Sequence, residues 1–228
     1  MPIFSIFVLL LLAYSYHLFF VKESDQYTNL GENQINILKA YNKGEEYYFN
    51  LQNIIKYASD SAIIEFSKNA GIPENCKLIW KYYSDCKPDL ENNFIKTFSE
   101  ELKKYGYNSK EIKIKDNFII VNLDDFNYKK ELKNFKMNYN LPIIIRSDLN
   151  LDLERLIKLS NQVKACIEKG ESLTKCTNAK TDISKNIISF TIENNKKLTV
   201  YTDKLESKKI DFVFKIDIND NGIKTGVF

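Results

Sequence analysis

Histidine, glycine and proline are all scarce in this chain of 228 residues. The only His is His17, which excludes most His-based catalysis and most zinc chemistry. Seven Gly and four Pro exclude collagen-like and linker-dominated architectures. A content of 44% hydrophobic and 28% charged residues is ordinary for a globular protein and too apolar for a disordered one.

Arginine is scarce as well, and the basic excess is small. The net charge is +3 and Arg146 and Arg155 are the only arginines. A nucleic-acid-binding protein usually has a more basic composition, or lysines and arginines concentrated in one stretch. The paired lysines here are scattered, and most have acidic neighbours. We therefore expect no nucleic-acid partner.

Charged side chains are absent from the first 21 residues, and Lys22 is the first to occur. Residues 3–20 read IFSIFVLLLLAYSYHLFF, which as a helix is about 27 Å long, close to the apolar thickness of a bilayer. Aromatic residues and His17 cluster toward its charged end, where interfacial rings are expected. The pattern predicts a single-pass membrane anchor in contact with the lipid bilayer through residues 3–20.

Two other interpretations of this segment remain open. A cleaved signal peptide has weak support from Ala13-Tyr14-Ser15, a small-x-small triplet after an apolar run. However, no Lys or Arg precedes the run and its hydrophobicity continues past the triplet. A buried core helix is the other alternative, which so long a charge-free run at a terminus disfavours.

The four cysteines form two pairs with equal spacing, Cys76 with Cys86 and Cys166 with Cys176. Pairing within each short loop predicts the disulfides Cys76–Cys86 and Cys166–Cys176, each worth about 3 kcal/mol on the loop-entropy model. Four cysteines permit three pairings. Zinc is the rival interpretation, but zinc knuckles usually space cysteines more closely.

The predicted disulfides indicate on which side of the membrane the C-terminal body lies. They imply an oxidising compartment, although intracellular proteins of hyperthermophilic archaea also carry them. The single Lys22 after the span leans weakly toward a cytoplasmic body. We give the cysteines more weight, and expect a cell-membrane protein whose C-terminal body lies outside the cytoplasm. A cytoplasm-facing regulatory domain is the alternative.

A long helical pattern follows the anchor. Apolar residues recur every three or four positions from Ile35 through Leu38, Leu51 and Ile55 to Phe66, and Gly71 with Pro73 stops the run. We expect this helix, at residues 32–67, to pack on the domain's own helices. The alternatives are self-association or binding of an envelope protein partner through the same face.

The remaining pattern predicts an α+β fold with an antiparallel or mixed sheet and helices packed on one face. Helices are expected from Asp89 to Gly106 and from Asp152 to Gly170. Strands are expected as a hairpin turning at Asp116-Asn117, and at 141–146, 187–192, 198–201 and 210–218. Residues 124–140 show no clear period. The expected domains are an anchor at 1–21, a long helix at 22–71 and an α+β body at 72–228.

The first 90 residues resemble a group of uncharacterised single-pass, membrane-anchored proteins of small-genome archaea of the DPANN or nanoarchaeal type. The matching residues lie in the long helix and the first cysteine loop: Gly31, Glu32, Gln34, Tyr41, Gly44, Glu45, Cys76, Trp80, Cys86 and Pro88. The resemblance implies a single span, an extracytoplasmic body and an archaeal source. It implies no activity and no catalytic residue.

The general plan is also similar to that of type IV pilins, in which an apolar helix continues into an amphipathic helix and a disulfide-bonded sheet domain. The decisive residues do not match, because no basic-Gly processing site precedes the apolar run and no Glu lies within it. Pilin-like assembly is therefore an alternative that rests on architecture alone.

One metal motif occurs, at the C-terminus. Residues 217–222 read DINDNG, the first six positions of a calcium loop, but the twelfth position is Phe228 where a Glu is required. We favour a hairpin turn at Asn221-Gly222 and expect no metal and no cofactor. No catalytic constellation stands out. The sequence thus predicts a non-enzymatic interaction or surface-assembly protein, with a carboxylate-dependent envelope hydrolase as an alternative.

Overall fold

A computed structural model describes the backbone of residues 2–68, 71–72, 76, 79–81, 87–132, 135–171, 180–184, 187–192, 198–201, 205–208 and 211–217. Within the first helix, side chains are described at residues 10–17 and 31–68. Several strand residues, most of them after residue 179, are described by their backbone alone. The described chain has an α+β fold with small, mainly antiparallel sheets.

The described helices are α1 (Pro2–Lys68), α2 (Leu90–Lys104) and α3 (Leu153–Lys169). The described strands are β1 (Ile79–Trp80), β2 (Glu111–Lys115), β3 (Phe118–Asn122), β4 (Phe126–Leu132), β5 (Phe135–Leu141), β6 (Ile144–Asp148), β7 (Lys180–Ser184), β8 (Ile187–Ile192), β9 (Leu198–Tyr201), β10 (Leu205–Lys208) and β11 (Phe212–Asp217).

Helix α1 is continuous over 67 residues. The expectation of a separate helix beginning near Gly31 is wrong, because Gly31 lies inside α1. A helical Gly costs only about 1 kcal/mol relative to Ala, which does not break a helix with good helix formers on both sides. Helix α1 therefore passes through the domain boundary expected at residue 21.

Capping residues set the ends of α2 and α3 as predicted. The Asp89 side chain accepts a hydrogen bond from the Asn92 N–H at 3.4 Å, and Asp152 accepts one from the Arg155 N–H at 3.0 Å. Helix α3 ends at Gly170, whose φ of 65° is left-handed, a conformation that favours glycine. The sequence pattern thus located both helices to within a residue or two.

The strands form several small sheets, where the sequence suggested a single one. Described strand orders are β1-β11-β8-β7, β2-β3-β6, β9-β10 and β4-β5. The predicted hairpin is confirmed: β2 pairs antiparallel with β3, and both turn residues, Asp116 and Asn117, have positive φ, as a two-residue hairpin turn requires. The strand expected at 141–146 is partly wrong, because β5 ends at Leu141 and β6 begins at Ile144.

The chain divides into two compact units. The first comprises Met1–Tyr48 and Asp125–Leu141, and therefore contains the first part of α1 with the β4–β5 hairpin. The second comprises Phe49–Asp124 and Pro142–Phe228, and contains the remaining described elements.

Aromatic side chains form the centre of the second unit. The Phe66 ring of α1 meets Phe94 of α2 edge to face at 5.5 Å and Phe212 of β11 at 6.2 Å. Trp80 of β1 lies 4.6 Å from Phe214 of β11. All five side chains are buried. The alternation predicted for β11 is confirmed where described, since Phe212, Phe214 and Ile216 are buried and the residues between them are exposed.

Candidate interaction surface

In the first unit, α1 buries small or short side chains. Asn36, Ala40 and Gly44 are buried at a spacing of four residues, which places them on one side of the helix. A Cβ atom on Gly44 would lie 2.8 Å from the Cε1 atom of Tyr139 on β5. The absence of a side chain at Gly44 therefore lets the β5 aromatic ring approach the helix backbone.

The β4–β5 hairpin reaches α1 through alternate side chains. Phe126 of β4 lies with its ring 5.1 Å from Tyr47 and 6.3 Å from Tyr139, and the Lys43 ammonium lies 5.3 Å from the centre of the Tyr128 ring. Since every second residue of a strand points to the same side, one face of the hairpin supplies these contacts.

One buried polar contact joins the hairpin to α1. The Lys130 ammonium donates a hydrogen bond of 2.7 Å to Oδ1 of Asn36. The Nδ2 atom of Asn36 is buried without a hydrogen-bond partner, and a buried unpaired donor costs about 1–3 kcal/mol. Aromatic contacts and the close approach at Gly44 therefore carry the packing of the hairpin.

The opposite side of the same helix segment is apolar and exposed. Ile35, Leu38 and Tyr41 are 52%, 61% and 51% exposed, and their spacing of three residues makes them neighbours on the helix surface. Ile37 is 51% exposed as well, but it lies nearer the hairpin side of the helix and outside the predicted stripe. Ile35, Leu38 and Tyr41, which we call the α1 apolar surface, belong to the stripe that was expected to be buried.

The predicted stripe therefore divides in two. From Leu51 onward it is confirmed as core, because Leu51, Ile55, Ala58, Ala62 and Phe66 are all buried. Its first part, Ile35 to Tyr41, is wrong as intramolecular core, because the helix turns its small residues toward the hairpin instead. The hairpin was missed because its period-two pattern, F-x-Y and F-x-M-x-Y-x-L, is interrupted by Lys130.

Two interacting polar groups, the Tyr41 phenol and the Glu45 carboxylate, lie at the edge of the α1 apolar surface. The negative charge of Glu45 and its hydrogen bond with Tyr41 raise the pKa of the Tyr41 phenol above 10.0. The Tyr41 phenol is therefore neutral at physiological pH. It is hydrogen-bonded to Glu45, one turn further along the same helix.

Residues 10–17 of α1 are exposed without exception. They read LLLAYSYH, so that apolar side chains project all around the helix. Leu10, Leu11, Ala13, Tyr14 and His17 line a shallow groove along it. Among the described residues, no helix is long and apolar enough to cross a membrane. The expected span at 3–20 includes positions whose side chains lie outside the described residues.

Both described cysteines, Cys76 and Cys166, are buried and disulfide-bonded. Cys86 and Cys176 lie outside the described residues, so the pairing Cys76–Cys86 with Cys166–Cys176 stays a prediction. Most of the calcium-like motif, from residue 218 to Phe228, also lies outside them.

Polar groups do not converge elsewhere in the described part of the chain as a metal site would require, since no group of three potential ligands occurs there. Among the side chains that the structure describes, the most deeply buried acidic one is Asp60 of α1, at 1% exposure. Asn150 donates a hydrogen bond of 3.0 Å from Nδ2 to its Oδ1. This pair links α1 to the segment between β6 and α3.

Fold and surface together define an α+β protein with an exposed apolar helix. Compared with protein-family models, curated proteins and solved structures, the chain finds no match. The resemblance to archaeal membrane-anchored proteins thus stays a hypothesis.

Proposed function

We propose that this protein is a membrane-anchored interaction or surface-assembly component without enzymatic activity, whose body lies outside the cytoplasm. The observation that carries the proposal is the exposure of apolar side chains along the first part of α1. A helix that is apolar all around is suited to an apolar environment such as a bilayer or a protein core. Residues 10–17 fit this description, and they lie within the charge-free segment 3–20.

The α1 apolar surface supports the second part of the proposal, that the protein binds a partner. Scattered apolar side chains are normal on a protein surface, whereas contiguous ones mark interaction sites. Ile35, Leu38 and Tyr41 are contiguous on successive turns, and Ile35 lies about 22 Å along the helix from the end of the proposed anchor at residue 20. The surface would thus meet partners close to the membrane.

The cysteines support the compartment. Disulfides persist outside the cytoplasm and are rare inside it, and Cys76 and Cys166 are both disulfide-bonded. An extracytoplasmic body is consistent with this chemistry.

The anchor and the orientation are tested on the full chain with a C-terminal tag. We expect the protein to stay with the membrane fraction after alkaline carbonate washing. Protease added to intact cells stripped of their outer layers should remove the tag. Release by carbonate would overturn the anchor, and a protected tag would overturn the orientation.

Partner binding is tested with a photoreactive side chain placed at Leu38 in the membrane-bound chain. The matched control places it at Glu32, which is also exposed on α1 but off the apolar surface. We expect covalent adducts from position 38 and few from position 32. Equal adduct yields from both positions would contradict the proposal.

A further inference from the structure

Two stretches of α1 carry exposed residues with the spacing of a heptad repeat. The exposed residues Leu10, Tyr14 and His17, and then Ile35, Leu38, Asn42 and Glu45, follow alternating steps of four and three residues. The interval from His17 to Ile35 is 18 residues, the sum of steps 4, 3, 4, 3 and 4, so the two stretches share one phase. The in-phase positions between them are Val21, Ser24, Thr28 and Gly31, so the apolar character lies in the two stretches themselves. Such spacing is that of the a and d positions of a coiled coil.

This set of seven residues, which we call the α1 seam, is clear of the hairpin. Successive helical residues are rotated by about 100°, so Ala40, which faces the hairpin, lies about 200° from Leu38 of the seam. Leu10, Ala13, Tyr14 and His17 also line the groove at relative positions i, i+3, i+4 and i+7. Four residues so placed form the hole that receives one side chain of a facing helix.

We propose that a second copy of this chain occupies the α1 seam, as a parallel, in-register two-helix coiled coil. The proposal rests on the membrane anchor, because two chains inserted in one bilayer with the same orientation present their α1 helices in parallel. Asn42 supports the identity of the partner. Its side-chain amide is both donor and acceptor, so it pairs with the Asn42 of an identical helix in register, and Asn at an a position is known to fix register and dimeric state.

Besides Asn42, the seam contains two polar residues, His17 and Glu45. Glu45 is hydrogen-bonded to Tyr41 of its own helix, and it stands at the end of the seam farthest from the anchor. Apolar side chains occupy Leu10, Tyr14, Ile35 and Leu38 nearer the membrane. The packing energy of the seam therefore comes from its membrane-proximal part.

The size of the seam indicates a dimer that depends on the membrane. A helix from residue 10 to 45 is about 53 Å long, and a strip about 10 Å wide along it covers about 500 Å² per copy, or about 1,000 Å² in total. This is just below the range of about 1,200–2,000 Å² for stable interfaces. Confinement of both copies in one bilayer raises their effective concentration and favours pairing.

The test uses the full chain in lipid vesicles at high lipid dilution. Asn42→Cys places a thiol in the seam, and Ile37→Cys places one at a position that is also exposed but faces away from it. Under mild oxidation we expect at least about tenfold more covalent dimer from Asn42→Cys, since a disulfide requires Cβ atoms about 4 Å apart. The unsubstituted chain gives the background from the native cysteines.

A second pair of variants keeps the test independent of thiol chemistry. Ile35 and Ile37 are 52% and 51% exposed, so that lysine at either position should leave the fold intact, as circular dichroism can verify. We expect Ile35→Lys to weaken dimerisation, measured by energy transfer between labelled chains, by at least about tenfold. Ile37→Lys should leave it unchanged.

Equal cross-linking at positions 42 and 37 would indicate random collision and overturn the dimer. Cross-linking at neither position would overturn it as well. If the chain then still stays in the membrane and forms adducts with another protein from position 38, the proposed function stands and only the second copy is wrong. If it forms no adduct of any kind, both proposals fail.

Discussion

The two parts of helix α1 use similar residues in opposite ways. After Phe49 the helix buries its large apolar residues, such as Leu51, Ile55 and Phe66, in the core of the second unit. Before Tyr48 it buries Asn36, Ala40 and Gly44 and leaves Ile35 and Leu38 exposed. The difference shows that the packed neighbour, and not hydrophobicity alone, decides which side of a helix is buried.

The largest difference in the free energy of unfolding is expected between two variants, each of which removes one large side chain from one part of α1. Phe66→Ala deletes a buried ring that touches Phe94 and Phe212, and we expect a loss of about 3–5 kcal/mol in the free energy of unfolding. Leu38→Ala deletes a side chain that is 61% exposed, and should change it by less than about 0.5 kcal/mol. Denaturant titration measures both, and similar losses would contradict the division of α1.

A smaller effect is expected where the second part of α1 buries the acidic side chain of Asp60. Asn150→Ala removes the 3.0 Å hydrogen bond to Asp60 and leaves a buried carboxylate with one donor fewer, which costs about 1–3 kcal/mol. Asn161→Ala, at an exposed position of α3, is the control and should stay within about 0.5 kcal/mol. If both variants unfold at the same denaturant concentration, the Asp60 hydrogen bond contributes nothing measurable.

The first part of α1 is probed at Gly44. Ala at this position gains about 1 kcal/mol of helix propensity, but its Cβ would lie 2.8 Å from the Tyr139 ring, and such overpacking costs about 1–3 kcal/mol. In a Tyr139→Ala background the cost disappears and the gain remains. A double-mutant cycle should therefore give a coupling of about 1 kcal/mol or more. Additive effects would show that Tyr139 does not press against the helix.

The smallest expected effect is an alkaline pH dependence in the second unit. The hydrogen bond from the Lys104 ammonium to Glu101, 2.5 Å long, raises the Lys104 pKa above 10.5. Because the folded state holds this proton more tightly, the contribution is present below pH 10.5 and is lost as the pH rises through the folded pKa. Glu101→Gln should flatten this loss in thermal unfolding measured across alkaline pH. An unchanged profile would exclude the pair as its source.

Local signals were sufficient for much of the fold. The caps Asp89 and Asp152, the Asp116-Asn117 turn and the alternation of β11 each act through a few adjacent residues, which a sequence displays directly. The β4–β5 hairpin was missed because Lys130, on its buried side, reads as a surface residue. Its contact with Asn36 is 94 residues away in the chain, and only the tertiary structure reveals it.

Only part of the candidate interaction surface could be predicted from the sequence, because the exposure of a helix side depends on residues that are distant in the chain. The apolar spacing of residues 32–67 is plain in the sequence, yet Ile35 and Ile55 differ only in what lies against them. Ile55 is buried and Ile35 is exposed. The spacing of apolar residues does not show which turns of the helix a distant hairpin will cover. Nor does it show that the hairpin packs on the side formed by Ala40 and Gly44.

The pairing of β1 with β11 has a consequence for the order in which the chain folds. Ile79 pairs with Lys215 and Trp80 with Ile216, so this contact waits until nearly the whole chain has been synthesised. Pairings so distant in sequence are slow to form. Until then the indole of Trp80 lacks the Phe214 ring that covers it. Because Trp80 is the only tryptophan, its fluorescence during refolding should report this late closure directly, as a phase slower than helix formation.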